Sequence, residues 1–248
     1  MSSLTDPKAT SPDLSILYQD QWVVAVDKPQ GILVHGDGTG TATLTNALAA
    51  QLSRTGTDPS DLQALQRLDR ETSGIVLFSL SKATQAQFDA LISSREVHKR
   101  YLAVVSGRFP RGTQAIDLPL GRDRHDARRM RVTRRGQGQE SHTRASLLAT
   151  AGTGAKTSSL LRVDLLTGRK HQIRVHLSSL GFPILGDKLY GGRVHKQGLM
   201  LHAFEEDLVH PVTGEQIHLR TQLPVRFQHL YPLAESRWDA YVGPSGSC

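Results

Sequence analysis

The sequence predicts an α+β fold on a mixed, largely antiparallel central sheet flanked by helices. Three observations carry that expectation. Short apolar runs of strand length outnumber the stretches with helical periodicity. The connections between these runs are short, hairpin-like and rich in turn-forming residues. The strand–helix–strand rhythm that would build a parallel, doubly wound sheet is absent.

Residues 14–18 (LSILY) and 22–28 (WVVAVDK) read as two short strands joined by the polar turn Gln19-Asp20-Gln21. Pro29 and Gly31 then break the pattern. Residues 35–41 (HGDGTGT) are glycine-rich. They lack the Lys-Ser/Thr ending of a P-loop and the spacing of a dinucleotide fingerprint, so a plain mobile loop is expected. A helix capped by Thr43 should follow, with Leu44, Leu48 and Leu52 on one face. Residues 75–80 (IVLFSL) read as a buried strand. The spacing then predicts a helix from Ser81, with Phe88, Leu91 and Ile92 at i, i+3 and i+4.

Residues 100–107 (RYLAVVSG) form the next expected strand, ending at Gly107. Residues 121–137 carry seven arginines among few apolar groups, and serve either as a solvated loop or as a clamp on a polyanion. Residues 143–149 and 159–166 again read as strands. From Arg169 a helix fits: Ile173, Leu177 and Leu180 fall at i, i+4 and i+7, and Gly181 suits the stop. Arg174 neighbours Ile173 and so falls near the edge of the buried face.

The chain has 248 residues, enough for one large domain with a sizeable core. Segments 1–12 and 242–248 are rich in Ser, Thr, Pro and Gly and read as frayed ends around a body spanning 13–241. Lys plus Arg number 30 against 23 acids, a net charge of +7 that favours a polyanionic partner. One cysteine, Cys248, excludes a disulfide framework and a cysteine zinc site within the chain. His171 and His176 are five apart, not the three or four of a helical metal pair, so no metal site is expected. The first residues lack a basic-then-apolar signal pattern, and no apolar run approaches a membrane span. A cytoplasmic, monomeric protein is expected.

Two dense patches remain: QRLDRETSG (66–74) and TGRKHQIRVHL (167–177). With DKPQG (27–31) and KRYLAVVSG (99–107), they stand in an order that resembles the RluA-like family of RNA pseudouridine synthases. GDKLYGG (186–192) and LHA (201–203) extend the resemblance over nearly the whole chain. It implies the pseudouridine synthase-type fold with a central RNA-binding cleft. The implied reaction cuts the bond between ribose C1′ and uracil N1 in RNA, turns the base and rejoins it through C5. The family uses no cofactor and no metal. The partner is RNA, ribosomal or transfer.

The resemblance assigns catalytic roles to Asp69, Tyr101 and Arg174. A carboxylate near C1′ suits glycosyl transfer, either as nucleophile or as charge stabiliser. A paired guanidinium keeps it ionised and fixes its direction. Tyr101 offers a face to stack on an extruded uracil and a hydroxyl near C5. Arg67 matches an arginine that fills the space the base vacates. Arg70, Arg169, His171, Lys99, Arg128 and Arg129 complete the expected RNA-binding set.

One residue departs from the pattern. Gln66 stands where the family usually has histidine, and it cannot titrate near neutral pH. With so few residues ahead of the first strand, the extra S4-type domain of many relatives is not expected. Two other readings compete: an RNA-binding assembly factor without chemistry, and a glycosylase that releases free base. The intact set of Asp69, Tyr101 and Arg174 argues against the first, and the blocks match neither a nucleoside hydrolase nor a base-excising glycosylase, the two forms of the second.

Overall fold

The computed structural model describes residues 13–36, 38 and 41–241. The two terminal segments expected to fray lie outside these, as do residues 37, 39 and 40 of the glycine-rich stretch. In chain order the elements are β1 (Ser15–Gln19), β2 (Val23–Lys28), α1 (Leu44–Arg54), β3 (Gln63–Ala64), β4 (Ser73–Ser79), α2 (Gln85–Ser93), β5 (His98–Ser106), β6 (Thr113–Asp117), β7 (Leu120–Arg122) and β8 (Met130–Val132). There follow β9 (His142–Ala151), a 3-10 turn (Gly154–Lys156), β10 (Ser158–Leu165), α3 (Gln172–Ser179), β11 (Leu201–Val209), β12 (Gln216–Arg220), α4 (Val225–Gln228) and α5 (Ala234–Asp239).

The main sheet runs β1-β2-β4-β11-β5-β10-β9-β6, with β3 on β4 and β12 on β11. All its pairings between described strands are antiparallel except β4 with β11. This is the mixed, largely antiparallel α+β sheet that the sequence predicts.

The continuous apolar runs of β2 and β4 have a simple cause: both strands are covered on both faces. Val24, Val26, Val76 and Phe78 pack under Leu44, Leu48 and Leu52 of α1. Val23, Ala25, Ile75 and Leu77 pack on the other side with Phe88 and Leu91 of α2. Each such side chain contributes roughly 1.5–3 kcal/mol on burial. A larger cluster spans β5, β10 and β11 and is closed by Ile173 and Leu177 of α3 and by Phe227 and Trp238 near the C-terminus.

Local chemistry sets the element ends. The Thr43 hydroxyl accepts from Asn46 N at 3.2 Å and caps α1, as expected. Asp20 Oδ1 accepts from Trp22 N and Val23 N (2.7 and 2.8 Å) and tightens the first hairpin. Three expectations need correction. α2 starts at Gln85, four residues late, because Ser81–Thr84 is spent on a turn. α3 starts at Gln172, not Arg169, and Leu180 at its end is 41% exposed rather than buried. The arginine run is not simply a loop, since β7 and β8 pair within it as a short hairpin.

The centre of the sheet depends on one glycine. Gly74 opposes Ala203 where β4 meets β11 in parallel. Its φ is +115°, and a Cβ there would sit 2.1 Å from Ala203 O. This close approach seats the segment that precedes β4 against the middle of the sheet. Gly74→Ala is expected to destabilise the fold by about 1–3 kcal/mol through backbone displacement, measured as a lower urea midpoint. An unchanged midpoint would show that the approach is not required.

Candidate active site

Asp69 sits in the segment between β3 and β4, which is tied down from beneath. Lys28 is fully buried, and its ammonium donates to Pro29 O, Ile32 O and Arg70 O at 3.0, 2.8 and 3.2 Å. Burial lowers its pKa to about 8, against the pull of the nearby Asp69 and Glu71 charges. Gln30 Nε2 donates to Glu71 O and Leu199 O (2.7 and 2.8 Å). The DKPQG block thus acts as a clip on the backbone that carries Asp69. Thr72 N donates to Asp69 O at 3.0 Å and closes the turn just before β4.

Arg174 Nη1 donates to Asp69 Oδ2 at 3.0 Å, the pairing expected from sequence. Asp69 remains 24% exposed at its side chain, whereas Arg174 is 8% exposed. What the sequence reading missed is the second carboxylate. Arg174 Nε and Nη2 donate to Asp187 Oδ2 and Oδ1 at 2.8 and 2.9 Å, and the Asp187 side chain is completely buried. Asp187 Oδ1 also accepts from Leu189 N and Tyr190 N (3.0 and 3.1 Å). Burial alone would lower the Arg174 pKa, but the hydrogen bonds and charge of Asp187, with Asp69 behind them, turn the net shift upward. The guanidinium is therefore a fixed cation, aimed by Asp187 at one oxygen of Asp69. Gly186 makes the turn into Asp187 possible: its φ is +79° and a Cβ would fall 1.9 Å from Gly198 O.

His171 lies beside Asp69 in the cleft. It occupies the left-handed region (φ 56°) just before α3. The turn ahead of it is held by Gln172, whose Oε1 accepts from Thr167 Oγ1 and Arg169 N (2.8 and 3.0 Å). This network, not periodicity, decides where α3 begins. His171 Nδ1 lies 2.7 Å from Tyr190 Oη, which accepts from Met130 N at 2.9 Å. With Tyr190 donating to Nδ1, the neutral ring carries its proton on Nε2, 3.7 Å from Asp69 Oδ1. That gap is too long for a hydrogen bond. Burial lowers the His171 pKa, with the Asp69 charge opposing.

Tyr101 lies on β5, 5% exposed, and lines the same cleft as Asp69. Burial raises its pKa, and the charges of Glu206 and Asp69 raise it further, so the neutral phenol is the resting form and the phenolate is disfavoured. Lys99 lines the cleft two residues earlier on the strand. Gln66 is buried, and its Nε2 donates to both oxygens of Glu206 at 3.0 Å. His176 stays outside the site; its ring nitrogens meet Thr143 Oγ1 and Leu118 O, each at 2.9 Å.

The cleft is open, about 1210 Å³, and has a basic rim of Arg67, Arg70, Arg95, Arg128, Arg169 and Lys170. Arg67 is exposed. Arg70 Nε donates to Gly31 O at 2.9 Å. Arg128 is held by Asp126 at 3.0 and 2.7 Å. Arg169 Nε donates to Glu140 O at 3.2 Å. Arg129 stacks 5.4 Å above the Tyr190 ring, with Arg174 5.1 Å from the same ring. Arg129 therefore supports Tyr190 as well as facing solvent.

A family model described as RNA pseudouridylate synthase matches residues 22–179. The chain belongs to that family. It is an RNA pseudouridine synthase, an isomerase whose substrate is RNA. Its relatives include ribosomal large subunit pseudouridine synthase D of Pseudomonas aeruginosa, 34% identical over 93% of this chain and 75% of that protein. The "Uncharacterized RNA pseudouridine synthase YhcT" of Bacillus subtilis is also 34% identical, over 88% of this chain and 71% of its own length. Human RNA pseudouridylate synthase domain containing 1 has a similar solved structure, with TM-score 0.73 and 25% identity across 97% of this chain and all of that one.

The pseudouridine synthase frame separates what the blocks carry from what they leave out. Asp69, Tyr101 and Arg174 come together from three distant segments, as the resemblance implies. Asp187 lies within the GDKLYGG block, and its glycine flanks were the only sequence signal of a constrained residue. Glu206 gave no signal, because the middle of the acidic run Glu205-Glu206-Asp207 reads as solvent-facing.

Loss of Asp187 would leave Arg174 buried without its main partner. Asp187→Ala is expected to cost about 3–5 kcal/mol of stability, read from chemical denaturation. Asp187→Asn keeps the backbone contacts and should cost less. If Asp187→Ala were as stable as the parent, Arg174 would not depend on it.

Proposed function

We propose that this enzyme converts specific uridines in structured RNA, in 23S ribosomal RNA or transfer RNA, to pseudouridine, with Asp69 acting at C1′ of an extruded nucleotide. The carrying observation is the asymmetry of the Asp69 carboxylate. Oδ2 is pinned by Arg174, while Oδ1 has no hydrogen-bond partner among the described residues and opens onto the cleft. A carboxylate with one oxygen bonded to a fixed guanidinium and the other without a partner is equipped to bond to C1′ as the C1′–N1 bond breaks. Relatives named as ribosomal large subunit pseudouridine synthase D support ribosomal RNA as a substrate.

A uracil stacked inside RNA cannot reach Asp69, so the nucleotide must leave the stack. Tyr101 then offers its ring to the base. Arg67, exposed at the rim, is placed to occupy the gap left in the RNA. Arg70, Arg128, Arg129 and Arg169 lie where the flanking phosphates would run. The Tyr101 hydroxyl, neutral at rest, accepts the C5 proton only if its own proton leaves in the same event.

The test of substrate is a transcriptome-wide pseudouridine map of cells with and without the gene, paired with an assay for released uracil. New carbodiimide-reactive sites without free uracil are expected; free uracil instead would identify a glycosylase. Asp69→Asn should abolish turnover while RNA binding stays within a few-fold; substantial turnover would remove the carboxylate from the mechanism. Tyr101→Phe should bind normally but lose about 10²–10³-fold in single-turnover rate if the hydroxyl handles the proton. Tyr101→Leu should also bind more weakly, since an aromatic stacking face is worth roughly 1–3 kcal/mol. A Tyr101→Phe enzyme with the parent rate would leave the residue as a stacking platform alone.

Binding should weaken with salt. At a single-stranded site log K is expected to fall with log salt by about 0.7 for each phosphate neutralised. A slope near zero would contradict the basic rim as the RNA-binding surface.

A further inference from the structure

The proposed reaction makes a demand that Asp69 and Arg174 do not meet. When C1′–N1 breaks, the bonding pair leaves with the base, and the uracil carries negative charge spread over N1, O2 and O4. A cation or donor at a carbonyl oxygen would stabilise that charge.

Two cleft-lining side chains, Gln66 and Lys99, and the buried Glu206 that accepts from Gln66 form a polar trio with no part in the mechanism so far. Lys99 and Tyr101 are alternate residues of β5, so their side chains share a face, and both line the cleft. Glu206 faces Lys99 across the β5–β11 pair because β11 bulges between Ala203 and Glu205. Without that extra residue, Glu205 would oppose Lys99. Instead Glu205 turns to the other face and accepts from Arg100 at 2.7 Å.

Glu206 is 1% exposed, and its two oxygens share the Gln66 amide. The Lys99 ammonium makes no hydrogen bond and no ion pair within 4.0 Å among the described residues, yet it is not sealed off. Burial lowers the Lys99 pKa and raises that of Glu206, and each charge opposes the other's shift. Gln66 Oε1 is likewise buried without a partner. A buried carboxylate beside a half-buried ammonium is costly as architecture. Here it sets an amine with no hydrogen-bond partner among the described residues on the cleft lining that Tyr101 and Asp69 share.

We propose that Lys99 is a further catalytic residue: positioned by Glu206 and Gln66, its ammonium donates to a carbonyl oxygen of the extruded uracil and stabilises the base anion between C1′–N1 cleavage and C1′–C5 bond formation. This rests on the uridine isomerase reading and gives the RNA-binding role expected for Lys99 from sequence a chemical form. The step balances without a co-reactant. The C1′–N1 pair goes to the base, C5 returns a pair to C1′, C5 loses one proton and N1 gains one. Lys99 transfers no proton and serves equally if C1′ bonds to Asp69 or passes through a glycal.

The test uses single-turnover kinetics on a 23S ribosomal RNA transcript, with a transfer RNA transcript as second substrate. Lys99→Met is expected to slow the reaction by about 10²–10³-fold, as loss of one donor to a developing anion does, with RNA affinity little changed. The same transcripts made with 5-fluorouridine provide the decisive comparison. Fluorine already stabilises the leaving base, so the loss on Lys99→Met should shrink. Consumption of the starting nucleoside, measured by digestion and mass spectrometry, is the readout, because C5 there has no proton to lose. Lys99→Met combined with Glu206→Gln removes both charges and guards against misfolding; it should show the same pattern.

Equal losses on both transcripts, or a parent-like rate for a folded Lys99→Met enzyme, would overturn the proposal. Failure of both variants to fold would assign the trio to stability and overturn it as well. A parent enzyme inactive on both RNAs would instead bring down the proposed reading of 23S ribosomal or transfer RNA as substrate.

Discussion

The site is organised around the guanidinium of Arg174. Its two far donors are locked by Asp187, whose side chain is wholly buried, and its near donor reaches Asp69 at the cleft. Charge alone would not achieve this. A flexible cation beside a half-exposed carboxylate contributes little, because solvent screens it and side-chain entropy opposes it. A guanidinium held on its other edge by a buried carboxylate has lost that freedom already. It holds one oxygen of Asp69 in a fixed direction at the cleft. Tyr190 sits beside it, covering the guanidinium with its ring and sharing a hydrogen bond with His171 Nδ1 through its hydroxyl.

The sheet supplies the distances. Asp69 leads into β4, Tyr101 and Lys99 ride on β5, and β11 lies between these strands. Gly74 lets β4 approach Ala203 closely, and the bulge after Ala203 resets the register for Glu205 and Glu206. Within a few residues of β11 the chain therefore fixes both the loop that carries the carboxylate and the polar floor of the cleft. β4 pairs with the start of β11 and β12 with its later half, so the sheet divides at this point. Division of a sheet opens room for a site without leaving ladder groups unpaired.

Much of the fold was legible from local pattern. The Thr43 cap and the Leu44, Leu48 and Leu52 stripe gave α1, and apolar runs gave β2 as a short strand and β4 as a buried one; that both are covered on both faces came from the packing. Where pattern failed, side-chain hydrogen bonds had overridden it. Gln172 holds the 167–171 turn open, so α3 starts late and His171 takes a left-handed conformation that periodicity does not encode. Asp69, Tyr101 and Arg174 were legible as a set through the ordered blocks. Asp187 was not, because the sequence does not reveal which of several acids folds back onto a given arginine.

The sequence by itself determined the family, the strand-rich class and the residues that could carry charge to a sugar. These depend on residue types in a fixed order along the chain, and order survives without coordinates. Only the tertiary structure decided which charges meet. Asp187 and Arg174 are thirteen residues apart, but Asp69 and Arg174 are separated by 105, and Gln66 and Glu206 by 140. Pairings over such separations follow from strand register and from one bulge. A shift of a single residue there would have put Glu205, not Glu206, opposite Lys99.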